Sequence, residues 1–314
     1  MTSPGARIVA FGHYQPARVV TNDELSQRVE TSDEWIRDRV GIATRRIAAP
    51  EESVADMAVA AGGKALANSG LAASDIDLII VATCSAVTPL PNVACQVAAR
   101  LEVTAPGAFD LNTACSGFSY ALATAQHAIM AGSSRNALVI GVEKLSDWTD
   151  WDDRTTAIIF GDGAGAAVVS ASDTSGIGPV VWGSDGTRSE AIRVEHRNGA
   201  IIQEGQTVFR WATTAIAPIA LEACQRAGVD PADLGAFVPH QANLRIIEAI
   251  AKKIGATNAV VARDIVESGN TSAASIPLAL SKMIERGEVP SGSPVLLFGF
   301  GGGLTYAGQV ITCP

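Results

Sequence analysis

The sequence matches itself at half its own length. Sliding the chain by 158 positions lays Gly70-Leu71 on Gly228-Val229, Asp75 on Asp233, and Leu138 to Gly141 on Leu296 to Gly299. The stretches KALANSGLAASDIDLII and EACQRAGVDPADLGAFV agree in residue type nearly throughout. Such a period is far longer than the roughly 20–50 residues of solenoid repeats. It predicts two copies of one domain, here residues 1–171 and 172–314. Equivalent positions then face each other across a pseudo-two-fold, and a cleft between domains is where ligand sites tend to lie. Under this offset Cys115 lands on Ala273, three residues past Asn270.

Each copy reads as alternating strand and helix. Strands are expected over 7–12, 77–83, 107–111, 137–142, 155–160 and 164–170, the last two flanking GDGAG. Helices are expected over 32–39, 53–69, 92–101 and 116–131, with Ser32 or Asp33 near one N-cap and Gly70 ending another. Alternation with short connections predicts an α/β fold with a mostly parallel sheet. Three runs, 78–99, 111–134 and 289–314, carry no charge. Prolines, polar side chains and glycines interrupt them, so none is a continuous apolar span for a membrane. They are expected to be layers and loops buried on both faces. The 53 alanines and 30 glycines suit layers that approach closely.

The net charge of −9 excludes a global basic footprint for nucleic acid, though not a local patch. Cysteines stand at 84, 95, 115, 224 and 313, without CxxC spacing and odd in number. That argues against a disulfide framework or a structural zinc. The start, MTSPGARIVAFGHY, lacks a secretory pattern, so the expected compartment is the cytoplasm.

Three polar residues carry chemical promise. Cys115, in FDLNTACSGFSYAL, sits where a strand turns into a helix. The positive end of the helix dipole is expected to depress its pKa. His240, in GAFVPHQANLRII, follows a buried strand that Pro239 should end, with Gln241, Asn243 and Arg245 beside it. Asn270, in VESGNTSAASIPLAL, lies at a loop-to-helix junction; a plain helix cap is its simpler role. The GDGAGAA segment is GxGxG rather than GxGxxG, and β-like residues follow it, which argues against a dinucleotide site. The glycines of GFGGG, 299–303, permit backbone N–H groups to point into a cavity, as an anion nest or oxyanion hole; a hairpin turn is the alternative.

With these motifs the chain resembles type III β-ketoacyl-acyl carrier protein synthases of the thiolase superfamily. The likeness spans nearly the whole chain. Its segments are TSDEWIRDRVGIATRRI, ACSGFSYAL, IFGDGAGA, PHQANLRII, GNTSAASIPLAL and FGGG. The resemblance implies a thiolase-like fold of duplicated α/β halves in a five-layer α-β-α-β-α arrangement, and a homodimer. It implies that Cys115 is acylated by a short acyl-CoA and that His240 and Asn270 serve malonyl-acyl carrier protein as CO2 leaves. Backbone N–H groups of Cys115 and Gly302 would form the oxyanion hole. Thr31, Trp35, Arg39, Arg154, Gly205, Phe209 and Asn243 match positions that bind CoA and its pantetheine arm. Arg210, Arg245, Lys252 and Lys253 match a basic patch for the acidic carrier protein; a solvated helix face is the simpler role for the lysines. No metal or redox cofactor is implied, only the two thioester substrates, and no nucleic acid or membrane. Leu90 stands where many relatives carry Phe, in a loop that closes the partner's acyl pocket in the family. TACSG around Cys115 also replaces the more frequent AACAG. Initiation of fatty-acid chains is the leading reading. A pathway-specific relative that primes a polyketide or other secondary product needs the same triad. A cysteine hydrolase or a dead binding protein of this fold are further alternatives.

Overall fold

A computed structural model describes residues 5–196 and 199–314 of the chain. Two five-stranded sheets organise it. The first is built from β1 (Gly5–Tyr14), β2 (Leu78–Ala82), β3 (Gly107–Leu111), β4 (Asn136–Lys144) and β5 (Asp162–Ser172). The second uses β6 (Val181–Gly183), β7 (Ala236–Pro239), β8 (Val260–Val261), β9 (Pro294–Phe300) and β10 (Tyr306–Thr312). Their orders are β1-β5-β4-β2-β3 and β6-β10-β9-β7-β8. Both are the same order, first-fifth-fourth-second-third, so the duplication seen in the sequence is a duplication of topology.

The sheets are mixed rather than mostly parallel. β2 runs parallel to β3 and β4, and β7 runs parallel to β8 and β9. β5 and β10 are antiparallel to both of their neighbours. The reason is local: no long crossover helix separates β4 from β5 or β9 from β10, and parallel pairing requires one.

Strand alternation sorts the core into layers. In β2, Leu78, Ile80 and Ala82 face the middle of the molecule while Ile79 and Val81 face outward. In β9, Val295 and Leu297 face the middle while Leu296, Phe298 and Phe300 face outward. The middle layer holds α3 (Gly117–Met130) and α6 (Ser275–Glu285), which begin 158 positions apart. Outside the first sheet lie α1 (Val54–Ser69) and α2 (Val93–Arg100). Outside the second lie α4 (Gly205–Ala227) and α5 (Leu244–Ile254). This is the five-layer arrangement that the resemblance implied. Among the described residues no helix is long and apolar enough to cross a membrane.

The caps follow the sequence. Ser32 and Ser53 accept N-terminal bonds from Trp35 and Asp56, and Gly70 and Gly228 close their helices at φ 71° and 68°. Residues 155–160 depart from expectation. Instead of a strand they begin in a short helix, Arg154–Ala157, whose N-cap Asp153 accepts from Thr155 N–H at 2.8 Å. Cap chemistry there outweighs the β preference of Thr and Ile. Nor does GDGAG form a turn between strands: Asp162 to Ala166 lie inside β5. A Cβ on Gly165 would come within 2.3 Å of Leu278 N, so that glycine admits α6 against the sheet.

Candidate active site

Two tight turns bring the copies together. Residues Ala114–Ser116 and Ser272–Ala274 each form a 3-10 turn leading into a middle-layer helix. Ala114 has φ 46° and Ser272 has φ 45°, at matching positions of the two copies. Left-handed backbone at a non-glycine residue is strained and concentrates at functional sites. The first turn carries Cys115 and the second follows Asn270.

Cys115, His240 and Asn270 line one cavity of about 1260 Å³. Cys115 is part-exposed into it. Its thiol is nevertheless pushed up to about 11, chiefly because protein surrounds the sulfur; the Ser272 hydroxyl and the Gly302 N–H pull the other way, and Glu143 adds to the rise. The depressed pKa expected from the helix dipole is therefore corrected. The helix proper starts at Gly117, two residues beyond, and burial is the largest influence on the thiol. The glycine loop presses on the sulfur: a Cβ on Gly301 would lie 2.7 Å from Sγ.

His240 is buried at the end of β7. Its Nδ1 bonds the Ser275 hydroxyl at 2.8 Å, and Phe300 meets the ring edge-on with centroids 5.5 Å apart. Burial lowers its pKa to about 3, so the ring is neutral at physiological pH. Asn270 Oδ1 accepts the Ser272 N–H at 2.8 Å, which caps that turn and leaves Nδ2 for the cavity. The capping and cavity-lining roles thus coexist.

Trp35 lines the cavity together with two guanidinium groups that lie over its ring. Arg154 is 5.1 Å and Arg39 5.6 Å from the ring centroid. Asn243 caps α5, accepting from Arg245 N–H at 2.9 Å, and donates to Arg39 C=O at 3.1 Å. Gly205, Phe209 and Arg210 line the same cavity, and Arg245 covers the Phe209 ring at 5.3 Å. Gly302 lines it as well.

Other expected residues lie apart. Thr31 is not among the lining residues, and its hydroxyl is buried without a partner. Leu90 is 81% exposed on the surface of the single chain, away from the cavity. Lys252 and Lys253 sit exposed on α5, where Lys253 Nζ bonds the Thr213 carbonyl. Gln241, grouped with His240 in sequence, bonds the Pro239 carbonyl and the Ile265 N–H and serves the fold. Sequence reasoning missed Glu143, Cys84, Ser272 and Ser275. Only the 158-residue offset hinted at two of them, by placing the SAAS segment opposite Cys115.

The fold and the thiol held between its halves define a thiolase-like condensing enzyme, an acyltransferase. The comparisons narrow that class. Residues 109–186 match the family model of 3-oxoacyl-[acyl-carrier-protein] synthase III, and residues 224–313 match the model of its C-terminal part. The chain is 60% identical to β-ketoacyl-[acyl-carrier-protein] synthase III 4 of Streptomyces coelicolor, over 99% of both chains. Among solved structures it is similar to the priming β-ketosynthase of the R1128 polyketide pathway, with TM-score 0.97 and 42% identity, covering 100% of this chain and 97% of that one. It is also similar to 3-oxoacyl-[acyl-carrier-protein] synthase III of Aquifex aeolicus, with TM-score 0.93 and 40% identity, covering 98% and 100%. The chain belongs to the β-ketoacyl-acyl carrier protein synthase III family.

Proposed function

We propose that this enzyme joins a short acyl group from acyl-CoA to malonyl-acyl carrier protein, releasing CoA and CO2 and giving 3-oxoacyl-acyl carrier protein. The convergence of Cys115, His240 and Asn270 from both copies on one cavity carries the reading. Cys115 attacks the acyl-CoA thioester and keeps the acyl group. Covalent capture divides a difficult condensation into two easier steps. The oxyanion formed at each acyl transfer meets the N–H groups of Cys115 and Gly302.

His240 and Asn270 then act as donors to the malonyl thioester oxygen. Ser275 Oγ accepts the Gln241 N–H at 3.3 Å and pairs with His240 Nδ1 at 2.8 Å. In the tautomer with the ring proton on Nε2, Ser275 donates to Nδ1 and Nε2 donates to that thioester oxygen. Asn270 Oδ1 is already occupied, so its amide N–H groups donate too. Loss of CO2 leaves an enolate on that oxygen, and its carbon attacks the acyl group on Cys115.

Trp35 offers a ring and Arg154 a guanidinium to the adenine of CoA. Trp35→Ala should raise KM for acyl-CoA about 10-fold, from the stacking of roughly 1–2 kcal/mol that it removes, with kcat little changed. An unchanged KM refutes that role. Arg210, Arg245, Lys252 and Lys253 are proposed to meet the carrier protein. Leu90 is proposed to close the acyl pocket of a second copy in a homodimer, with the protein in the cytoplasm beside its substrates. A second reading, priming of a polyketide, draws on the likeness to the R1128 priming ketosynthase. A panel of acyl-CoA starters tests both, with acyl-enzyme mass and CO2 release measured separately. Starter-dependent CO2 release with malonyl-acyl carrier protein is expected. Acyl turnover to free acid without that partner would overturn both in favour of a hydrolase.

A further inference from the structure

Behind the nucleophile lies a carboxyl group that the condensation scheme leaves idle. Glu143 is fully buried in β4. Its Oε2 accepts from the Ser85 hydroxyl at 2.6 Å, the Ser85 N–H at 3.1 Å, the Cys84 N–H at 3.1 Å and the Thr83 hydroxyl at 3.2 Å. Its Oε1 accepts from the Ser272 hydroxyl at 3.1 Å and the Cys84 thiol at 3.3 Å. The backbone N–H groups and the hydroxyls around it favour the carboxylate, against burial, which raises the carboxyl above its usual range. Among the described residues no cation pairs with it: Lys144 turns onto the Ala49 and Pro50 carbonyls and Asp147. The titratable groups facing it are the thiols of Cys84 and Cys115. A buried carboxylate without a cation is costly to maintain for packing alone.

Ser272 joins this carboxylate to the nucleophile. Its hydroxyl donates to Glu143 Oε1 at 3.1 Å, and its turn packs against the turn that carries Cys115. Ser272 and Cys115 line the same cavity, on the two paired turns. We propose that Glu143 is the base for acylation, receiving the Cys115 proton through the Ser272 hydroxyl.

As Cys115 Sγ bonds to the acyl carbon, its proton passes to Ser272 Oγ, and the Ser272 proton passes to Glu143 Oε1. The C–S bond to CoA breaks, and the CoA thiolate takes a proton from water. In the condensation step the new C–C bond expels Cys115 as thiolate. Glu143 returns the stored proton through Ser272, and the thiol is restored. His240 is the weaker candidate for this task. Its Nδ1 is turned to the Ser275 hydroxyl at 2.8 Å, and burial lowers the ring's pKa to about 3 while it raises the Glu143 carboxyl.

The proposal rests on Cys115 being the acylated thiol, and the test separates the two. Acylation by acetyl-CoA is timed by intact mass, from pH 6 to 10, in the full-length enzyme and in Glu143→Gln and Ser272→Ala. Glu143→Gln should acylate roughly 10²-fold more slowly at pH 7, in line with loss of a general base. Its rate should then climb about tenfold per pH unit as the thiolate forms unaided. If Glu143 acts only through its charge, Glu143→Gln lowers the thiol pKa and acylates faster at pH 7. A rate equal to or above wild type therefore overturns the proposal. Ser272→Ala keeps the backbone N–H on Asn270 and should show the same loss, with no further loss in the double variant. It carries the test if Glu143→Gln does not fold, and wild-type acylation by it overturns the relay. An adduct that persists in Cys115→Ala would instead defeat the underlying reading.

Discussion

Cys115→Ala should take up no acyl group from acetyl-CoA, and 3-oxoacyl product should fall by on the order of 10⁴-fold or more, as when other covalent nucleophiles are removed. Intact mass reads the adduct directly. The wild-type enzyme should gain a single acyl group although four other cysteines are present. Cys84 is the sharpest control, because it lines the same cavity. Burial and the neighbouring Glu143 raise its thiol well above the ordinary range, so it should stay protonated and unlabelled. An acyl group on Cys84 in the wild type would contradict the assignment. The fold should tolerate the change, since alanine fits wherever a part-exposed cysteine did and leaves the turn backbone intact.

His240→Ala should separate the two halves of the reaction. Acylation of Cys115 should persist, while CO2 release from malonyl-acyl carrier protein should fall by about 10²–10³-fold, the effect of losing one donor to a developing oxyanion. The neutral ring explains why a donor rather than a base is lost. Held near 3, it bears a single ring proton throughout the working range. The decarboxylation rate should therefore show no inflection near pH 6.5. An inflection there, or decarboxylation unchanged in the variant, would remove His240 from this role.

Much of the architecture was legible because the duplication left matching marks. The anchors Gly70 and Gly228 close equivalent helices, and α3 and α6 start at Gly117 and Ser275, 158 positions apart. Within the uncharged runs β2 and β9 are buried on both faces, whereas residues 87–91 form an exposed loop and α2 turns one side to solvent. What stayed hidden was whatever depends on partners distant in the chain. Residues 155–160 look like a strand by composition, yet one aspartate cap turns their start into helix. The helix-start position of Cys115 was visible, but not the burial that reverses the sign of its pKa shift. Glu143 ends the ALVIGVE segment and looks like a solvated strand terminus. It becomes a buried carboxyl group because residues 83–85 and Ser272 close over it.

Gly141 lies in β4, outside the cavity lining. A Cβ there would stand 2.3 Å from the Ala273 carbonyl oxygen, within the turn that supports Cys115 from the other copy. Close-packed interiors transmit such displacement instead of absorbing it. The two halves thus register against each other like machined parts seated on one shim, and the fit is set by a missing methyl group. A side chain at Gly141 would leave every polar group of the reaction present and yet out of alignment.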